Sequence, residues 1–299
     1  MQASLCRRLL LDDEAPLELK RALLSLSPVL PRLGLASLAL CLASGAVLSI
    51  QYRPMGDVFR TVEAITSGMP YGAFLRQMHH ASGQIFVILM LLHTADYFLR
   101  RRYAAYPFQT WCRLVASLLL CFLTLFTGFI LKGDLEGIFA GRIMANCLNE
   151  VPLLGPSLSR LIMAEGEAFF YLPFLYHSFF LPILLCTLIR DHVRDWFPDR
   201  VYLGAALLGL AAYALWIPPG PAVPPDAVVE RIHGPWFFYG IQYLLRHLPA
   251  FWAGVFLPAL WIAALLFLPL LRPPWSRLVR TAVMAAVPVY IVLSLLNLA

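Results

Sequence analysis

Long apolar runs separated by short charged turns dominate this chain. Stretches without a charged side chain cover residues 33–52, 77–95, 114–131, 168–189, 201–225, 247–271 and 281–299. A transmembrane helix needs about 20 mainly apolar residues. The pattern therefore predicts an all-α, polytopic membrane protein with about seven spanning helices. Pro182 falls inside the fourth run, where a membrane helix tolerates it. The segment 1–28 reads as an amphipathic helix on the membrane surface, without the pattern of a cleaved signal. The loop 132–167 holds "LEGIFAGRIMANCL", a second amphipathic stretch suited to the interface. Between the fifth and sixth runs a proline-dense segment gives way to aromatics, which predicts an ordered loop with a short helix. Three regions follow: 1–28 at the surface, 29–195 with four spanning helices, and 196–299 with three.

Composition agrees with the pattern. The 299 residues are 60% hydrophobic and 13% charged, with a mean hydropathy of +0.74. A soluble domain carries about 25% charged residues. The net charge of +6 is distributed unevenly. With the N-terminus in the cytoplasm, that side receives Arg7, Arg8, Lys20, Arg21, Arg32, Arg100, Arg101, Arg102, Arg113, Arg190, Arg194, Arg200, Arg272, Arg277 and Arg280, fifteen of the 23 basic residues. This is the bias that orients membrane proteins. It sets the N-terminus on the cytoplasmic side and gives no reason to expect a nucleic-acid partner; the expected location is a bacterial cytoplasmic membrane. The six cysteines stand singly, with no CxxCH, so covalent attachment of a c-type haem is not expected.

Within this apolar sequence the histidines are conspicuous, because ionisable groups in membrane spans are rare and usually functional. His79 and His93 lie 14 residues apart on the second span. On an ideal helix that is about 21 Å along the axis and about 40° from eclipsed. His177 and His192 lie 15 residues apart at the fourth span, about 22 Å and about 60° from eclipsed. The second and fourth spans cross in the same direction. His79 is thereby matched in depth to His177 on the outer side, and His93 to His192 on the cytoplasmic side. Each pair suits bis-imidazole ligation of a haem iron, which closes both axial positions and favours electron transfer. His80, about 140° from His93 on the same wheel, points off that seam.

These residues carry a resemblance. The segments "SGAVLSIQYRP" (44–54), "RQMHHASGQIFVILMLLH" (76–93), "FTGFILKGDLEGIFAGRIMANCLNEVPLLG" (126–155), "HSFFLPILLCTLIRDH" (177–192) and "WFFYGIQYLLRHLP" (236–249) resemble the cytochrome b family of quinol-oxidising bc and bf complexes. The split, chloroplast-type branch is the better match, with its three-helix partner subunit fused to the haem-bearing half. The resemblance implies two non-covalent haem b groups: an outer one on His79 and His177, and a cytoplasmic-side one on His93 and His192. It implies that Arg76 pairs with a haem propionate, a charge-assisted contact, and that Gly45 and Gly128 make room for a porphyrin edge. It also implies a homodimer within a larger complex, with iron–sulfur or cytochrome c partners.

The chain departs from the family at its outer quinol pocket. Where the family has PEWY, this chain has Gly234, Pro235, Trp236 and Phe237, so the glutamate is missing. Where it has PWDQ, this chain has Lys132, Gly133, Asp134 and Leu135. Two cytoplasmic-end glycines are replaced by Pro31 and Leu114, and Asp96 stands where the split-type branch has an arginine. Quinol oxidation needs a general base. Glu230, His233 and Asp134, with Glu136 beside it, are the candidates. Trp236, Phe237 and Phe238 are candidates for the walls of the quinone pocket. The first expectation is a di-haem subunit of a quinol-oxidising respiratory complex, using menaquinol and a multihaem cytochrome c in place of a Rieske protein. The alternatives are an electron conduit with one quinone site, and a haem-free transporter or scaffold. For the last, the sequence shows no inverted repeat.

Overall fold

The computed structural model describes residues 27–298, whose regular structure is all helical, with no strand among them. The expected surface helix over 1–28 lies outside the described residues, apart from Ser27 and Pro28. Six segments are long and apolar enough to cross a membrane: Val29–Gln51, Gly72–Leu99, Phe108–Ile130, Gly166–Ile189, Phe251–Leu270 and Trp275–Leu298. The fifth expected span, 201–225, is a shorter apolar helix, Arg200–Trp216. Asp199 begins it by accepting from the amides of Val201 (2.8 Å) and Tyr202 (3.2 Å). It ends two residues before the Pro218–Pro219 pair, because the residue preceding a proline is driven out of the helical region.

In chain order the α-helices are α1 (Val29–Gln51), α2 (Val58–Glu63), α3 (Gly72–Leu99), α4 (Phe108–Ile130), α5 (Leu135–Asn149), α6 (Gly155–Ile162), α7 (Tyr171–Leu175), α8 (Leu181–Ile189), α9 (Arg200–Trp216), α10 (Tyr239–Leu245), α11 (Leu257–Phe267) and α12 (Trp275–Leu298). Helix α5 is the amphipathic segment expected in the long loop. Helices α2 and α6 carried no signal strong enough to be anticipated. A π-helical turn, Tyr176–Phe180, joins α7 to α8, and α8 stops at Ile189. The ideal-helix phase between His177 and His192 therefore does not carry over: the π turn shifts the register, and His192 sits in the turn beyond α8.

Two compact units make up the chain. The first comprises residues up to Ile50, Pro70–Phe122 and Leu184–Pro219; the second comprises Gln51–Met69, Leu123–Ile183 and Gly220 onward. Each draws residues from both sides of position 196. The first unit has a core of small and medium side chains, Ala36, Met78, Ala81, Ala206, Leu210 and Ala214, contributed by α1, α3 and α9. Small residues let helix backbones approach where lipid removes the hydrophobic drive for helix association. Large apolar side chains such as Leu207, Leu208 and Leu215 remain exposed and face what lipid would cover.

The second unit is organised around the start of α5. Gly133 has φ +68, and a Cβ there would lie 2.7 Å from Val58 Cγ1 and 2.9 Å from the Phe59 amide nitrogen. Only glycine combines that backbone with that approach. Asp134 is fully buried. Its Oδ1 accepts from the Gly137 amide (2.9 Å), capping α5, and its Oδ2 lies 2.8 Å from Lys132 Nζ. The Leu135 amide donates to Val223 O (2.9 Å), tying the proline-rich loop to the same corner. Tyr52 donates to Leu131 O (3.0 Å) and stacks on Phe174 with 5.4 Å between ring centres. Helix α10 packs on α12, where Gly240 leaves room for the Tyr290 ring and Tyr290 donates to Phe237 O (2.6 Å).

The cap makes a testable claim. Asp134→Ala removes a helix cap worth about 1–2 kcal/mol and leaves Lys132 with Glu136 alone. Thermal unfolding in detergent should show a lowered Tm for Asp134→Ala and a smaller change for Glu136→Ala. Equal small changes would mean that the cap does not anchor α5.

Candidate functional site

The first unit brings His93 and His192 together. Their ring centres lie 6.1 Å apart with 48° between planes. A histidine nitrogen lies about 2.0–2.1 Å from a metal that it ligates, so two rings sharing one ion have centres about 6 Å apart. His93 is 7% exposed, and neither of its ring nitrogens has a hydrogen-bond partner among the described residues. An unpaired buried polar group is costly and needs an explanation. Aromatic rings enclose the pair: Tyr97 at 4.5 Å and Trp196 at 6.0 Å from His93, and Tyr106 at 6.3 Å from His192. Burial pushes the His192 imidazole below its ordinary pKa, with Asp195 opposing.

Cations ring this cluster. The Arg32 guanidinium lies 5.8 Å from the Trp196 ring centre, and that of Arg102 lies 4.7 Å from Tyr97. Asp96 and Arg100 form a buried ion pair one helical turn apart, and Ser27 donates to the other oxygen of Asp96 (2.9 Å). The acid at position 96 thus holds an arginine four residues on. Nearby at the surface, Arg113 bonds Asp191 (3.1 Å) and holds that carboxyl below its usual range.

His79 and His177 repeat one local device, each within its own unit. His79 Nδ1 lies 3.0 Å from Cys41 O, and a Cβ on Gly45 would come within 2.8 Å of its ring. His177 Nδ1 lies 2.9 Å from Thr124 O, and a Cβ on Gly128 would come within 2.6 Å of its ring. In both cases a carbonyl four residues before a glycine receives the imidazole, and the glycine gives the ring its room. A carbonyl can only accept, so Nδ1 carries the proton and Nε2 is left as the lone-pair nitrogen. Such bonds fix the orientation of metal-ligating histidines. In the structure the nearest atoms to either glycine are the imidazole's own, which refines the expectation of space for a porphyrin edge. Arg76 is half-buried on α3, one turn before His79. His80 is exposed and lies 3.4 Å from Gln84.

A small, partly open cleft lies in the second unit. Phe126, Ala140, Met144, Phe238, Ile241 and Leu245 give it an apolar wall, and Cys147 and Gln242 are its polar side chains. Of the three expected aromatics only Phe238 lines it. Trp236–Phe238 is a 3-10 turn, with about three residues per turn, so successive side chains diverge by about 120°. Trp236 is exposed and Phe237 is buried. No carboxylate lines the cleft. Glu230 is exposed, and Asp134 is committed to its cap and to Lys132. His233 adjoins Gly234 at the cleft, with Nδ1 buried and unbonded among the described residues and its ring 6.1 Å from that of Tyr239. Burial, and then the negative charge of Glu136, pushes the Tyr239 phenol up. Glu136 is paired with Lys132 at 2.9 Å.

Sequence reasoning missed Gln242, Asn297 and the carbonyls of Cys41 and Thr124. The last two had a signal, since each precedes its glycine by four residues. The two amides had none.

Comparison with known proteins fits this arrangement. A profile of the family described as cytochrome b/b6/petB matches residues 28–194. The menaquinol:cytochrome c reductase cytochrome b subunit of Geobacillus thermodenitrificans is 27% identical over 158 residues, covering 50% of this chain and 69% of that one. Cytochrome b6 of Synechococcus sp. (strain JA-3-3Ab) is 29% identical over 157 residues, covering 50% and 72%. A solved structure described as a hyperthermophilic respiratory Complex III superposes with a TM-score of 0.64 at 22% identity, over 91% of this chain and 84% of that one. The likeness in fold thus extends into the C-terminal helices, beyond the segment that the profile covers. All four paired histidines fall within the matched segment, and the chain belongs to the cytochrome b/b6 family, as a multi-pass membrane subunit.

Proposed function

We propose that this chain is the di-haem b subunit of a bacterial quinol-oxidising complex, carrying electrons across the cytoplasmic membrane between quinol and a cytochrome c or iron–sulfur partner. The observation that carries the reading is the His93–His192 pair, spaced for one shared ion and left with unsatisfied buried nitrogens on His93. His93 and His192 would hold the cytoplasmic-side haem. His79 and His177, each with Nδ1 on a carbonyl and its ring against a glycine, would be the ligands of the outer one. When bound, haem b would supply a one-electron iron couple.

The chain's own residues do the rest. The carbonyls of Cys41 and Thr124 fix the tautomer and the aim of two imidazoles. Tyr97, Tyr106 and Trp196 keep water from the other two. Arg32, Arg100 and Arg102, gathered at that end of the first unit, support a cytoplasmic orientation. The cleft of the second unit has the apolar lining of a site for a quinone ring. Two protons and two electrons leave a quinol on oxidation. With no glutamate in the lining, His233, next in sequence to the lining residue Gly234 and with its ring 6.1 Å from Tyr239, is the proposed proton acceptor. The names of relatives support menaquinol as the donor. Assembly as a homodimer with redox partners is part of the same proposal.

A second reading, a conduit with one quinone site near the cytoplasmic-side haem, draws on the missing carboxylate. Two measurements decide. Pyridine haemochrome assays should give two haems for the wild type and one for His93→Ala or His192→Ala, with the outer haem lost in Gly128→Val, whose side chain displaces His177. An unchanged count in the histidine variants would refute the ligand assignment. His233→Ala should slow quinol oxidation by about 100-fold or more, the usual reach of general-base catalysis, with haem content unchanged. An unaffected rate would favour the conduit.

A further inference from the structure

The cleft's main polar side chain is pinned in one orientation. The Gly234 amide donates to Gln242 Oε1 (3.0 Å). A backbone N–H can only donate, so this bond identifies the oxygen of the Gln242 amide. Asn297 Nδ2 donates to the same oxygen (3.3 Å), and Asn297 is completely buried at the end of α12. Both of these bonds use the oxygen, and they leave the Nε2 hydrogens for the occupant of the cleft. Gly234 makes the arrangement accessible: a Cβ there would lie 3.3 Å from Gln242 Cδ and Oε1, tighter than side chains ordinarily pack. The residue that opens the altered motif and the amide that enters the cleft are thus one constellation.

We propose that Gln242 Nε2–H donates a hydrogen bond to an oxygen of the quinone head group and so sets its position in the cleft. This rests on reading the cleft as the quinol site. An amide neither gains nor loses a proton over the working pH range. It can hold a quinol hydroxyl oxygen or a quinone carbonyl alike, and it leaves proton removal to another group. Binding and base catalysis are then divided between two residues. A ligand held by an aromatic or aliphatic wall plus one neutral donor fits a naphthoquinone-type ring, which offers two oxygens and a large apolar face.

The test uses the intact complex in native membranes, with 2,3-dimethyl-1,4-naphthoquinol as donor and a soluble one-electron acceptor. Gln242→Leu should raise KM about three- to tenfold, the worth of one neutral hydrogen bond, and leave kcat within about twofold and haem content unchanged. Such a split marks lost binding that ground state and transition state share. If Leu lowers haem content, Gln242→Met, unbranched and without a donor, replaces it in the same assay. Gln242→Glu introduces a titratable group, so KM should become pH-dependent where the wild type's is flat. An unchanged KM in both donor-free variants, with His233→Ala still slow, would overturn the role of Gln242 and leave the cleft as the quinol site. Rates unaffected by any of these substitutions would remove the cleft reading and this proposal together.

Discussion

An imidazole seated against a glycine, with its Nδ1–H on the backbone carbonyl four residues before that glycine, is the contact that fixes two of the four histidines and the helix packing around them. It occurs twice, at His79 with Gly45 and at His177 with Gly128. In an apolar environment an unbonded ring N–H would be expensive, and a freely rotating ring would be a poor ligand. One hydrogen bond answers both problems, and it requires the helix bearing the carbonyl to come close. Only the absence of a Cβ allows that approach. The device therefore links a packing requirement, a tautomer and an axial position in a single local geometry. The His93–His192 pair is built differently: among the described residues no partner fixes the nitrogens of His93, and aromatic rings confine both side chains.

The cleft in the second unit shows how far a family site can be rebuilt while the scaffold stays. The Asp at position 134 is retained, and the structure gives it a purely architectural task, capping α5 and meeting Lys132. The glutamate is absent, and a neutral amide, braced by Gly234 and Asn297, occupies the polar position. Position 96 shows the same logic: the acid that replaces an arginine recruits Arg100 from the next turn, so a guanidinium remains buried in that region. In both places charge and hydrogen bonding are redistributed among neighbours rather than deleted.

Much of this was legible in the sequence. Runs of apolar residues located the six long spans to within about six residues at either end, because a long apolar run in lipid satisfies its own backbone as a helix. The histidine spacing picked out His93 and His192, whose rings the structure brings to 6.1 Å of each other. The fifth span was read too long, because its apolar character continues past the point where Pro218 and Pro219 end the helix. The phase between His177 and His192 was misjudged because a π turn leaves no trace in hydrophobic periodicity. The three aromatics Trp236–Phe238 looked equivalent until a 3-10 turn sent each in a different direction. Gln242 and Asn297 were invisible because their meaning lies in a contact between residues 55 positions apart.

The most direct measurement is the number and ligation of haems in the purified wild-type protein. Haem extraction against protein concentration, with low-temperature electron paramagnetic resonance of the oxidised form, reads both at once. Two non-covalent haem b groups per chain, both low-spin with the signature of two imidazoles, are expected from the four histidines. A single haem, a high-spin signal from an open axial position, or no haem at all would contradict the assignment of His79, His93, His177 and His192.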